Sequence, residues 1–211
     1  MPSRQDKAEG NTRRRRHDPE RRERIIRACL DVIAERGVAG TSHRHVAAAA
    51  DVPLGSMTYH FAGIDELLHE AFSSFTDTVI TQFQARMEVA SSAREAERAV
   101  LALLTQDVFA NQRDLFLTLE LYTLAAREPA YRDLTNTWMR SSRAALQRHF
   151  DPATGTLLDA LIEGLTIHRA LDTQPQDSAL AADGIARITQ ARHDLHQLET
   201  ARARKPPPAS S

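Results

Sequence analysis

Cysteine is nearly absent from this 211-residue chain. The one copy, Cys29, excludes an internal disulfide and a cysteine-ligated metal cluster. It falls in an apolar helical stripe, where a thiol behaves as a small buried hydrophobe rather than as a nucleophile. Long apolar runs are missing too, and nothing approaches the roughly 18 residues of a membrane-spanning helix. The opening MPSRQDKAEGNTRRRRHD is charged and lacks the apolar stretch of a secretory signal, so a cytoplasmic location is expected. No segment alternates apolar and polar residues as a half-buried strand does. Signatures of catalysis are also lacking: there is no HExxH and no Gly-rich phosphate loop. His193 and His196 stand three residues apart, with His168 as a third candidate, but two imidazoles on one helix arise readily by chance. No metal, no cofactor and no enzymatic activity are expected.

What the chain does have is helical periodicity and an uneven charge. Residues 1–63 carry 12 Lys+Arg against 8 Asp+Glu, whereas residues 64–211 carry 15 against 20, within a net charge of −1. A basic front on an acidic body points to a polyanionic partner at one end. Residues 1–17 show no hydrophobic periodicity and read as a disordered arm. Its cluster Arg13, Arg14, Arg15 and Arg16 is suited to salt-dependent phosphate contacts, or to entering a minor groove. A solvated tail is the plain alternative. A first helix is expected over 19–36, with Ile25, Ile26, Cys29, Leu30 and Ile33 on one stripe and Gly37 as its stop.

Residues 41–68 then read as two short helices joined by a tight turn. Ser42 is a natural N-cap, and Val46, Ala47 and Ala50 make a small apolar face. Asp51-Val52-Pro53 breaks the run, since Asp tolerates left-handed backbone and Pro suits the first turn of a new helix. In the second helix, about 54–60, Met57 points inward, while Ser56, Thr58, Tyr59 and His60 offer polar ends to a partner. Such a helix-turn-helix reads DNA by laying its second helix in the major groove.

A long helix should start at Ile64 and continue into a second domain, carrying Leu67, Leu68, Phe72, Phe75, Val79, Phe83 and Met87. Further helices are expected over 93–109, 115–126, 131–150, 153–171 and 177–198. The 115–126 segment is apolar nearly all round, which predicts a central position and makes Glu120 unusual. The stripe Leu157, Leu158, Leu161, Ile162 and Leu165 is broad, and Ile185, Ile188 and Leu195 follow a coiled-coil-like spacing. ARARKPPPASS, residues 201–211, reads as disordered. The fold class is all-α, with boundaries expected at 18–64 for a helix-turn-helix domain, 65–199 for a larger helical domain and 200–211 for a tail.

The run G-x-x-x-T-S-x-x-x-V-A-x-A-A-D-V-P-x-G-S-x-T-Y-H-F, Gly37 to Phe61, resembles the N-terminal domain of the TetR family of bacterial transcriptional regulators. The resemblance spans about residues 22–68. Two positions depart from the family's pattern: Asp51 stands where Gly is usual, and Ile64 where a phosphate-gripping Lys is common. The resemblance implies a homodimer formed through the last two long helices, an operator of double-stranded DNA and a small-molecule inducer held in the helical domain.

On that reading Ser42 and the start of its helix contact phosphate. Arg44, whose family counterpart can reach a base, is the candidate for a bidentate guanine contact. Leu54, Gly55, Ser56 and Thr58 face base edges, Gly55 allowing close backbone approach. Tyr59 and His60 clamp the backbone, and His43 and His45 are further phosphate candidates. The inducer pocket is expected among Phe75, Phe83, Phe109, Phe116, Tyr122, Tyr131 and Trp138, with Glu120, Thr123 and His168 as polar contacts. Core packing is the simpler role for any one of these, His168 included. Leu158, Ile162, Leu165, Ile185, Ile188 and Leu195 are assigned to the dimer interface. Two rival classes remain at this stage: a non-specific architectural DNA binder, and a helical ligand-binding or catalytic protein with an incidental basic arm.

Overall fold

Arg21–Arg36 forms α1, and its core-facing stripe is the one the spacing requires: Ile25, Ile26, Cys29, Leu30 and Ile33 are buried, joined by Ala28 and Val32. Gly37 ends it at φ 69°, a left-handed backbone that glycine adopts without a Cβ penalty, and its N–H closes on the Ile33 carbonyl. These elements come from a computed structural model, which describes residues 20–107, 112–173 and 179–190. The Arg13–Arg16 arm, Phe109, His193, His196, Leu195 and the Pro-rich tail lie outside the described residues.

α2 (His43–Ala49) and α3 (Gly55–His60) complete the small N-terminal unit with the first part of α4 (Ile64–Val89). Ser42 caps α2 as its chemistry requires: its backbone is extended, and its hydroxyl accepts from the His45 N–H at 3.3 Å. The turn between α2 and α3 places Asp51 at φ 51°, the one non-glycine residue with positive φ among those described. A short polar side chain is what that geometry tolerates best after glycine. Gly40 is needed for a different reason, since a Cβ there would lie 2.5 Å from the Arg36 carbonyl oxygen.

The chain divides into two compact units at Ser74/Phe75, inside α4. Leu67, Leu68, Ala71 and Phe72 are buried on the first side of this division, ten residues beyond the expected boundary at 64. Glu70 adds an ion pair to Arg22 of α1, and the Arg22 guanidinium also lies 5.1 Å from the centroid of the Phe61 ring. Packing, rather than the start of the helix, determines where the first unit ends.

The second unit's described elements are all helices: the rest of α4, then α5 (Ala93–Ala102), a π-helical run Leu103–Asp107, α6 (Gln112–Ala125), α7 (Pro129–Leu146), α8 (Pro152–Leu171) and α9 (179–190). Ser92 caps α5 by accepting from the Glu95 N–H, and the Glu95 carboxylate accepts in turn from the N–H and hydroxyl of Ser91, one residue before the cap. Asp151 caps α8 by accepting from the N–H groups of Ala153 and Thr154, with Pro152 in the first turn. Arg132 closes the end of α6 by donating to the carbonyls of Ala125 and Ala126. Phe83, Met87, Val100, Leu104, Leu146, Leu158 and Ile185 form the core. No strand occurs among the described residues, and none of their helices is long and apolar enough to cross a membrane.

Several expectations need correction. The 93–109 helix stops at Ala102 and gives way to the π-helical run. α6 is not buried all round: Phe116 is 41 % exposed, and Glu120 is half-buried and engaged within the chain rather than enclosed. Leu158 and Ile185 are buried against the chain's own core, so they have no surface left for a partner, while Leu165 and Ile188 pack partly against that core. The apolar side chains that α8 and α9 leave open are instead Leu157, Leu171 and Leu180.

Candidate functional site

In the first unit the site is the outer face of α2 and α3. Of the six residues of α3 only Met57 is buried, and it is fully so. The rest of this short helix is turned outward: Tyr59 is 83 % exposed, Gly55 and Thr58 are exposed, and Ser56 and His60 are half-buried. Leu54, immediately before it, is exposed as well. A Cβ built on Gly55 would meet nothing within 4 Å, so nothing inside the protein requires glycine there.

The helix is held by ordinary local bonds. The amides of Ser56 and Met57 donate to the carbonyls of Pro53 and Leu54, and the Thr58 hydroxyl donates to the Gly55 carbonyl at 3.3 Å. Tyr59 stands edge-on to His60, with ring centroids 4.9 Å apart. Burial, and then the nearby charges of Arg21 and Arg22, hold the His60 imidazole below its usual range, so it is neutral at pH 7.

On α2, Arg44 and His45 are exposed. His45 is tied down by its Nδ1, 2.9 Å from the Gly40 carbonyl, whereas the Nε2 of His43 is buried and without a hydrogen-bond partner. His43 therefore offers a phosphate less than the sequence suggested. Ile64, half-buried, supplies no charge where a lysine would reach outward.

In the second unit a cavity opens between α4, α6, α7 and α8. It brings together four of the expected pocket residues, Phe75, Phe83, Tyr122 and Trp138. Trp138 is edge-on to Phe75 and tilted against Tyr122, with both pairs of centroids 6.1 Å apart. The other described candidates are elsewhere. Phe116, Thr123 and His168 are exposed, Glu120 is half-buried outside the lining, and Tyr131 is buried away from it. His168 is thus neither a core histidine nor a cavity contact. Ile162, expected at a dimer interface, lines the cavity instead.

The cavity also has a polar wall that the sequence reading missed: Arg86, Asp114, Thr118, Ser142, Asp159, Glu163 and Thr166. The Tyr122 hydroxyl donates to Glu163 at 3.0 Å, and the Arg143 Nε donates to the nearly buried Asp159 at 2.7 Å. The signal was present in α8, where Asp159 and Glu163 stand one turn apart within the otherwise apolar stretch 157–165.

No group of three or more His, Cys, Asp or Glu side chains suited to a metal ion occurs among the described residues.

Comparison with known proteins adds one family match and three solved structures. The model for bacterial regulatory proteins of the tetR family matches residues 25–71. The solved structure of SCO7518 from Streptomyces coelicolor A3(2) is 57 % identical, covering 81 % of this chain and 99 % of that one, with a TM-score of 0.74. A member of the TetR family, SCO1917 from Streptomyces coelicolor A3, is 35 % identical over 81 % of this chain and 99 % of that one, at a TM-score of 0.67. The multidrug binding protein EbrR, solved in complex with ethidium, is 36 % identical over 82 % and 99 % of the two chains, at a TM-score of 0.66.

Proposed function

Because this chain belongs to the TetR family of bacterial regulatory proteins, we propose that it is a homodimeric repressor, held on a palindromic DNA operator and released from it by a small molecule bound in the second unit. The observation that carries this reading is α3. A six-residue helix anchored by one buried side chain, with an almost fully exposed tyrosine and an unobstructed glycine, is built to meet something outside the protein.

In this reading Arg44 reads a guanine, while Leu54, Gly55, Ser56 and Thr58 approach base edges. Ser42, His45, Tyr59 and neutral His60 contact the sugar-phosphate backbone, with the Arg13–Arg16 cluster adding salt-dependent affinity. Leu157, Leu171 and Leu180 are exposed apolar side chains on α8 and α9, and they support pairing of two copies through that face. Two copies would present their α3 helices about one DNA turn apart, ~34–36 Å, which calls for a palindrome. A solved relative that holds ethidium supports the cavity as the ligand site. α4 supplies buried residues to the first unit and Phe75, Val79 and Phe83 to the cavity, so it is the covalent route between the two. Ligand releases DNA only if it binds the DNA-free arrangement more tightly.

The test is fluorescence anisotropy of the full-length protein on the duplex upstream of its own gene, against a scrambled duplex, across a salt series. A specificity ratio of roughly 10³ that persists as salt rises is expected. Equal affinities that collapse together with salt would instead indicate a general phosphate binder. Two variants sharpen the result. Arg44→Ala is expected to cost about 1–3 kcal/mol of operator binding and to relax preference at one base pair. Gly55→Ala is expected to change folding stability by less than about 1 kcal/mol, since its Cβ meets open space, yet to weaken operator binding. Unaltered operator affinity in both variants would remove α2 and α3 from base reading.

A further inference from the structure

We propose that the cavity of the second unit takes a flat aromatic cation, with Glu163 as the group that reads the positive charge and Tyr122 as the residue that positions it. This rests on the reading of that unit as the ligand-binding part, and it is independent of which DNA is recognised.

Phe75, Phe83, Tyr122 and Trp138 present aromatic surface, and the face of an aromatic ring attracts a cation while also stacking on a flat one. Next come the carboxylates. Three line the cavity, and two have cationic partners: Asp114 lies 3.1 Å from Arg113, and Asp159 lies 2.7 Å from Arg143. Glu163 is different. It accepts one hydrogen bond, from the Tyr122 hydroxyl, and among the described residues it makes no ion pair. Arg86, also on the wall, already has an interaction of its own within the chain. A half-buried carboxylate facing aromatic carbon, with no ion pair of its own and only the Arg143 charge that Asp159 already engages acting on it, is costly, and a ligand cation supplies what is missing. An anionic ligand would meet the same carboxylate and the negative faces of the rings. The plainer alternative gives Glu163 a purely structural role, as a prop for Tyr122.

Acid-base linkage separates these two roles. Burial raises the Glu163 carboxyl above its ordinary range; the Tyr122 hydrogen bond opposes this, Asp159 adds to it, and Arg143 opposes it, leaving the value raised overall. Burial also raises the Tyr122 phenol, so it stays protonated and remains a donor. A bound cation favours the ionised carboxylate and therefore lowers the value that burial had raised. Binding then releases a proton, and affinity for a permanently charged ligand rises with pH through the free protein's value before levelling off. A structural prop predicts no such coupling.

The experiment uses the full-length protein and three probes: ethidium as a permanent cation, N-phenyl-1-naphthylamine as a neutral counterpart and 1-anilinonaphthalene-8-sulfonate as an anion. Trp138, the chain's single tryptophan, lines the cavity and reports occupancy by quenching. Ethidium is expected to bind at least tenfold more tightly than the sulfonate, and more tightly at pH 8 than at pH 5. E163Q should lose at least tenfold in ethidium affinity and all of this pH dependence, while its affinity for the neutral naphthylamine stays unchanged. Y122F, which removes the donor and raises the carboxyl further, should bind ethidium weakly at low pH and recover at pH 8. It therefore supplies an answer if E163Q fails to fold.

Equal binding of ethidium and the sulfonate, or a glutamine variant with unaltered affinity and pH profile, would overturn the proposal. Operator binding is measured on the same preparations. Loss of cation selectivity with intact operator binding counts against this inference alone, and the reverse result counts against the DNA reading alone.

Discussion

Replacing Arg143 with alanine is expected to destabilise the second unit by about 3 kcal/mol, more than the loss of an ordinary surface ion pair would explain. The asymmetry of the pair is the reason. The Arg143 side chain is 41 % exposed, so its own charge is largely solvated and its removal costs little. The Asp159 side chain is 5 % exposed and depends on the guanidinium 2.7 Å away. Without it, a nearly buried carboxylate on the cavity wall is left with no counter-ion. Urea unfolding followed by Trp138 fluorescence measures the change. The double variant Arg143→Ala, Asp159→Asn should recover much of the loss, because the stranded charge is gone. A single-variant loss below about 1 kcal/mol would mean that water already reaches Asp159.

The second large effect is expected at Met57. Met57→Ala should cost about 2–5 kcal/mol through the cavity left in the first unit. It should also weaken operator binding beyond what the lowered stability accounts for. A six-residue helix has too few internal bonds to persist alone, so its order comes from docking. Met57 is the one buried side chain through which α3 docks. Hydrogen exchange of the 55–60 amides would accelerate in the alanine variant while that of α1 changes less. Met57→Leu, of similar volume, should restore both binding and protection to within about 1.5 kcal/mol. Unchanged exchange in Met57→Ala would show that α3 is held by its backbone bonds and not by its anchor.

These two sites differ in how much of them could be read from the residues alone. Met57 was legible because its neighbourhood is local: a Ser cap, a three-residue turn and a helix too short to hide more than one side chain. The same holds for Asp51, whose tolerance of left-handed backbone anticipates the φ of 51° observed in the turn. The Arg143–Asp159 pair and the Tyr122–Glu163 bond join different helices, 16 and 41 residues apart in sequence, and the periodicity of a single helix carries no information about them. In α6, where apolar residues occupy nearly every side, spacing could not tell that Tyr122 faces the cavity while Phe116 and Thr123 face outward. In α8 a single position, about 100° of rotation, separates Leu157 on the surface from Leu158 in the core. Choosing between adjacent residues of a broad stripe requires knowing what packs on it.

The lone thiol gives this protein an internal clock for the opening of its first unit. Cys29 is fully buried, and burial pushes its thiol up to about 12, so at neutral pH it is both shielded and protonated. Alkylating reagents attack the thiolate. They will therefore label the native chain at the rate at which α1 comes away from its neighbours, and nowhere else, since the sequence contains no second cysteine. Mass spectrometry of a timed iodoacetamide pulse would then read how readily the helix-turn-helix unit opens, separately from the tryptophan signal that reports on the other. Comparing pulses with and without operator DNA turns the same atom into a gauge of how much DNA stabilises the fold that reads it.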